Sequence, residues 1–137
     1  MEKTYYRGSE WRKWDLHLHS KYSNLNNNFT GSEEAYIDKI IESGINVVGL
    51  TNYFNFKEND FVLKTKLEEK GIVVFLNLEL RLTYQNKEDD CCDIHIIFNE
   101  NLAKEKIIQF LNNLNVNIDN TEKNQIHLTL KMIFKKG

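Results

Sequence analysis

The chain has 137 residues, of which 41% are hydrophobic and 28% charged, and a formal net charge of −2. That length supports one modest domain with its own core, and the charge balance excludes a broad basic surface as the means of holding nucleic acid, though not a nuclease that meets phosphate through metal ions. No apolar run approaches the ~20 residues of a membrane-crossing helix, the charged residues 1–10 are wrong for a signal peptide, and the adjacent Cys91 and Cys92 make no disulfide framework, so a cytoplasmic protein is expected.

Residues 1–13 form a leading segment whose Tyr5, Tyr6 and Trp11 suit one end of a core. The run WDLHLHS over residues 14–20 then alternates as a half-buried strand does. Trp14, Leu16 and Leu18 are expected to point one way, and Asp15, His17 and His19 the other. Imidazoles two apart on one strand face have Cα atoms roughly 6.5–7 Å apart, close enough to share an ion. Ser20 and the polar loop to Phe29 put both histidines at the C-terminal end of that strand, the edge where parallel α/β folds bind ligands. By itself, H-x-H also fits a surface strand that happens to carry two histidines.

Thr30-Gly31-Ser32-Glu33 reads as a capping box, with Thr30 as N-cap and Glu33 reaching back. It opens a helix with Ala35, Tyr36, Ile37, Ile40 and Ile41 on its apolar face, stopping at Gly44. Residues 46–51 (NVVGLT) form a short apolar run typical of a strand buried on both faces. A second helix is expected over 57–69, around Phe61, Leu63 and Leu67, ended by Lys70-Gly71. Residues 72–76 read as a buried strand leading into the alternating stretch 77–82, and a charged turn at 85–90 returns the chain into 93–98 as a hairpin. A third amphipathic helix covers 102–114, and the alternation of Ile126, Leu128, Leu130 and Met132 suggests a final strand. Strands alternating with helices indicate an α/β architecture with a mainly parallel sheet.

The polar residues at strand ends are His17, His19, Asn52, Glu79 and His95. Glu79 stands in an otherwise apolar strand, where a buried carboxylate needs a partner or a metal. Imidazole and carboxylate donors suit zinc, manganese or iron, and paired ions can clamp the attacking and leaving oxygens of a phosphoester displacement. Cys91 and Cys92 are potential ligands too, but the acids around them point to an exposed loop.

Taken in order, H-x-H (17–19), GLTNY (49–53), LELR (78–81) and IHIIF (94–98) resemble the PHP family, the polymerase and histidinol phosphatase domain. The flavour WRKWDLHLHS, LNNNFTG, NLELRL and HIIFN is similar to the TrlF-like bacterial subgroup, in which a PHP domain precedes an SMC-like or AAA-like ATPase linked to DNA repair or phage defence. The resemblance spans about residues 7–114. It implies a distorted (β/α) barrel with divalent ions at the C-terminal strand ends, and hydrolysis of phosphate esters or nucleic-acid phosphodiesters. It also implies that His17, His19, Asn52, Glu79 and His95 hold metal, that Asp15 orients a histidine, and that Arg81 steadies phosphate.

Against the family pattern, the aspartate expected after H-x-H is replaced around Asn24, and the usual T-D-H reads Thr51-Asn52-Tyr53. The family's later ligands, a further histidine and a D-x-H, have no counterpart after His95 beyond the lone His127. The expectation is therefore an N-terminal PHP-like part over 1–115 with a C-terminal extension over 116–137. Such a partial barrel is expected to self-associate, or to be completed by a second PHP half or a partner ATPase. Two functions compete: a metal-dependent phosphoesterase, weak as this chain alone, and a degenerate PHP-like module that docks on an ATPase or DNA.

Overall fold

The structure is a computed structural model that describes residues 11–114 apart from 24, 26, 86 and 88–90, with the backbone alone at 82–85 and 91. The expectations for residues 1–10, Asn24, most of the charged turn and everything from 115 onward, including the last strand and His127, lie outside the described residues. In chain order the elements are β1 (Lys13–His19), α1 (Glu33–Glu42), β2 (Ile45–Tyr53), α2 (Glu58–Glu69), β3 (Val73–Gln85), β4 (Cys91–Ile97) and α3 (Lys104–Leu114).

The described strands form one four-stranded sheet in sequence order, curled in a way consistent with part of a barrel. β1 and β2 pair in parallel, as do β2 and β3, each pair being joined through a helix. β4 pairs antiparallel with β3. The sheet is thus mixed, with two of its three strand pairs parallel and the third an antiparallel pair. The reason is chain length: residues 86–90 suffice for a hairpin, whereas a parallel return needs a crossover of a dozen residues or more.

The two faces of the sheet differ. Val48, Leu50, Leu76, Leu78 and Leu80 lie in register on one face, and all are buried. Against them pack Tyr36, Ile37 and Ile40 of α1, Leu63 and Leu67 of α2, and Ile107 and Leu114 of α3. Full burial of each leucine contributes roughly 1.5–3 kcal/mol, so this layer supplies most of the hydrophobic drive. The opposite face carries Thr51, Tyr53, Asn77, Glu79 and His95, with Trp14 and Ile97 exposed at its margins.

Helix ends follow local chemistry. α1 begins at Ser32, whose Oγ accepts the Ala35 N–H at 3.1 Å, rather than at Thr30. Glu33 does not reach back as a capping box would require; it accepts from the Tyr22 hydroxyl and from Lys66 of α2. The expected stops at Gly44 and Gly71 hold, both at positive φ.

Candidate metal centre

The site begins with an irregularity in β1. Asp15 registers with Val48 and Leu18 with Leu50, so three steps on β1 match two on β2. This is a β-bulge, a device that re-aims side chains. Gly49 lies against it: a Cβ there would stand 2.3 Å from Leu16 O and 2.6 Å from Leu16 C, so a side chain would collide with backbone. Beyond the bulge, Leu18 packs on the core and His19 registers with Thr51 on the open face. Asp15, in register with Val48, belongs to the helix-facing side. The expectation that Asp15, His17 and His19 share a face is corrected accordingly. Asp15 Oδ1 accepts the backbone N–H of His17 at 3.1 Å, so it braces the bulged backbone instead of an imidazole N–H.

On the open face, His17, His19 and Glu79 each offer a ligand atom, and these atoms all lie within 4.8 Å of one another. His17 Nε2 stands 3.3 Å from Glu79 Oε2. That is near enough for an ion pair, yet Glu79 Oε2 accepts no hydrogen bond, and neither does the buried His19 Nδ1 have a partner. Buried polar atoms are nearly always paired. Imidazole and carboxylate atoms gathered this closely, two of them buried and unpaired, suit a cation, so the trio is a donor set that can hold a metal ion.

The trio is held from several sides. The Tyr36 hydroxyl of α1 donates to the His19 carbonyl at 2.8 Å, and the next residue, Ser20, donates its backbone N–H to Thr51 O at 2.9 Å. The His19 ring stacks on Tyr53, with centroids 5.3 Å apart and planes 11° from parallel. The His17 ring meets His19 and His95 edge-on, at centroid distances of 5.0 and 4.6 Å. Burial lowers the His19 pKa from its ordinary 6.5, Glu79 opposes this, and His17 and His95 lower it further. The net effect favours the neutral imidazole, the form that binds metal.

The chain matches no family model and no curated protein. The PHP resemblance therefore rests on its four motifs.

The other expected site residues are distributed as follows. His95 registers opposite Glu79 on the same face, beside His17 but outside the trio, and Asn77 contacts its Nδ1. Arg81 also shares that face; its guanidinium pairs with Asp93 on β4 at 3.1 and 3.4 Å and lies over the Tyr53 ring. Asn52 does not join them. It registers with Leu78 on the helix-facing side, and its Nδ2 donates to Asp60 Oδ2 of α2 at 2.8 Å. The sheet itself separates Asn52 from the trio, which corrects its assignment as a ligand.

Asn77 and Asp60 have a part in the site that the sequence did not signal, and Tyr53 was legible only as a departure from the T-D-H motif. Tyr53, one position on from Asn52, lies on the open face, in register with Glu79. The chain turns sharply after it: Phe54 has φ 62°, and Asn55 N donates to Tyr53 O at 2.7 Å. Asn77, two before Glu79, is buried on the same face, a placement that strand alternation alone signals. Asp60 is buried on α2 and accepts from Ser20 Oγ, Asn52 Nδ2 and Lys57 N, tying α2 to the ends of β1 and β2. No local pattern announces that role.

Among the described residues, no helix is long and apolar enough to cross a membrane.

Proposed function

We propose that the chain is a PHP-type metal-dependent phosphoesterase domain that binds a divalent ion through His17, His19 and Glu79. The observation carrying this reading is the convergence of three ligand atoms within 4.8 Å, on residues of which two, His19 and Glu79, each have a buried polar atom without a hydrogen-bond partner. Two imidazoles and one carboxylate with an open position are the donor set of several catalytic zinc sites. The same donors suit manganese and iron(II). Such an ion, when bound, supplies Lewis acidity toward a phosphoryl oxygen.

The chain's own residues then divide the work. His19, Glu79 and His17 fix the ion's position from a buried base to an exposed rim, Glu79 being 4% exposed and His17 lying at the surface. His95, beside His17, is the fourth candidate donor. Arg81 stands two residues beyond Glu79 on the same face, where its guanidinium meets the phosphate of a substrate in exchange for part of its contact with Asp93. The substrate class is a phosphate ester, with nucleic-acid phosphodiesters included on the strength of the resemblance. A cytoplasmic setting, self-association, a second PHP half and a partner ATPase belong to the same proposal.

Turnover by this chain alone is expected to be slow. Tyr53 stands where the T-D-H motif has its histidine, and its ring stacks on His19, so a phenol fills the place of an imidazole donor. Misplacing a reacting group by about 1 Å costs on the order of a hundredfold. The same tyrosine favours the second reading, a binding module that kept the site's shape and lost its chemistry. Hydrolysis of bis(p-nitrophenyl) phosphate with manganese or zinc separates the two. Slow metal-dependent turnover that vanishes in the His17→Ala/His19→Ala double variant supports the phosphoesterase; metal binding without turnover supports the module.

A further inference from the structure

Asn77 is 1% exposed, and its amide contacts all three of the sheet's other strands. Its Nδ2 lies 2.9 Å from Leu16 O in the β1 bulge, 3.0 Å from Thr51 Oγ1 on β2, and 2.9 Å from His95 Nδ1 on β4; its Oδ1 lies 3.1 Å from the same His95 nitrogen. These contacts can be resolved by counting donors. Leu16 O is a carbonyl and can only accept. Thr51 Oγ1 donates its one hydrogen to Gly49 O at 3.0 Å, so toward Asn77 it too must accept. Both amide hydrogens of Asn77 are therefore committed, and the orientation of the amide is fixed, since a flipped amide would set its oxygen against two acceptors. An Nδ2–H···Nδ1 bond would need a third amide hydrogen. The remaining arrangement has His95 Nδ1–H donating to Asn77 Oδ1.

We propose that Asn77 is a positioning residue that fixes His95 as the Nδ1–H tautomer, leaving Nε2 as the ring nitrogen with the free lone pair. A histidine free in water favours the opposite tautomer, with the hydrogen on Nε2. The buried amide thus selects the form in which His95 can act as a donor through Nε2, in the way that a hydrogen bond to one ring nitrogen determines which nitrogen binds metal. The role of that donor rests on the metal-site reading proposed above; the tautomer does not. The same amide reads the bulge, through Leu16 O, and β2, through Thr51, so the state of His95 is coupled to the backbone that carries His17.

The test is long-range proton–nitrogen correlation NMR on the metal-free chain with 15N-labelled histidine, at mildly alkaline pH. In the wild type, His95 is expected to show a protonated Nδ1 and a bare Nε2; a protonated Nε2 overturns the proposal without any variant. In Asn77→Leu, His95 should revert toward the Nε2–H form, and an unchanged tautomer in the folded variant overturns the proposal as well. Zinc titration of the same two proteins should show affinity falling roughly 10–100-fold in Asn77→Leu, the usual effect of losing a ligand's hydrogen-bond partner. A wild type with the Nδ1–H tautomer that binds no zinc supports the assignment made here and overturns the metal reading alone.

Discussion

Replacement of Asp60 probes how the helix layer supports the site. The carboxylate is fully buried; it accepts from the Ser20 hydroxyl, from Asn52 Nδ2 at 2.8 Å and from the Lys57 backbone N–H at 2.7 Å. Asp60→Ala orphans these donors, each worth about 1–3 kcal/mol when left buried and unmade, and removes support from the start of α2, worth ~1 kcal/mol. Burial, the largest influence, raises the Asp60 pKa from 3.8, so the charge itself opposes folding at neutral pH and its removal offsets part of the loss. The net expectation is a destabilisation of about 2–4 kcal/mol. Asp60→Asn should cost under about 1 kcal/mol, because its oxygen can accept from Asn52 and Lys57 while its amide donates to Ser20 Oγ. The pH dependence follows from the raised pKa. The stabilisation due to the protonated form is complete below 3.8 and is lost as pH rises through the folded-state value, so wild-type stability falls across that window and Asp60→Asn lacks the fall. Urea unfolding followed by tryptophan fluorescence measures both. A loss below about 1 kcal/mol in Asp60→Ala would refute the reasoning.

Gly49→Ala should destabilise by about 1–3 kcal/mol or more, because its Cβ meets β1 backbone; thermal unfolding reports it, and an unchanged midpoint would show that β1 yields freely. Asn52→Asp should weaken the fold without tightening metal binding, since it sets a second carboxylate against Asp60 on the helix side of the sheet. Stronger zinc binding in that variant, by calorimetry, would place residue 52 at the centre after all. Tyr53→His should tighten zinc binding, because residue 53 shares the open face with Glu79; equal or weaker affinity would count against that placement.

The sequence made the helix layer and the carboxylate legible because both depend on short-range periodicity. Leu76, Leu78 and Leu80 alternate with Asn77 and Glu79, so a strand over them puts the leucines in the core and the polar pair opposite. The amphipathic stretches became α1, α2 and α3, and the segment after the charged residues became β4, antiparallel to β3. What stayed hidden depends on partners far along the chain. WDLHLHS alternates without a break, and only its pairing with β2 beside Gly49 inserts the extra residue that separates Asp15 from His19. The apolar run in β2 has no alternation to show which of Asn52 and Tyr53 faces the histidines. Asn77 acquires its role from contacts on β1, β2 and β4, and no local pattern in the sequence records them. α1 is capped by Ser32, and Glu33 pairs with Tyr22 and Lys66, the latter on α2 and 33 residues away, which no local pattern announces.

The central claim is that His17, His19 and Glu79 together bind a divalent ion, and calorimetric titration of the metal-free chain with zinc tests it most directly. The wild type is expected to bind zinc, and His17→Ala, His19→Ala and Glu79→Ala are each expected to lose at least about tenfold in affinity, ~1.4 kcal/mol, with circular dichroism unchanged. A wild type that binds no zinc, manganese or iron(II), or folded variants that bind as the wild type does, would contradict it.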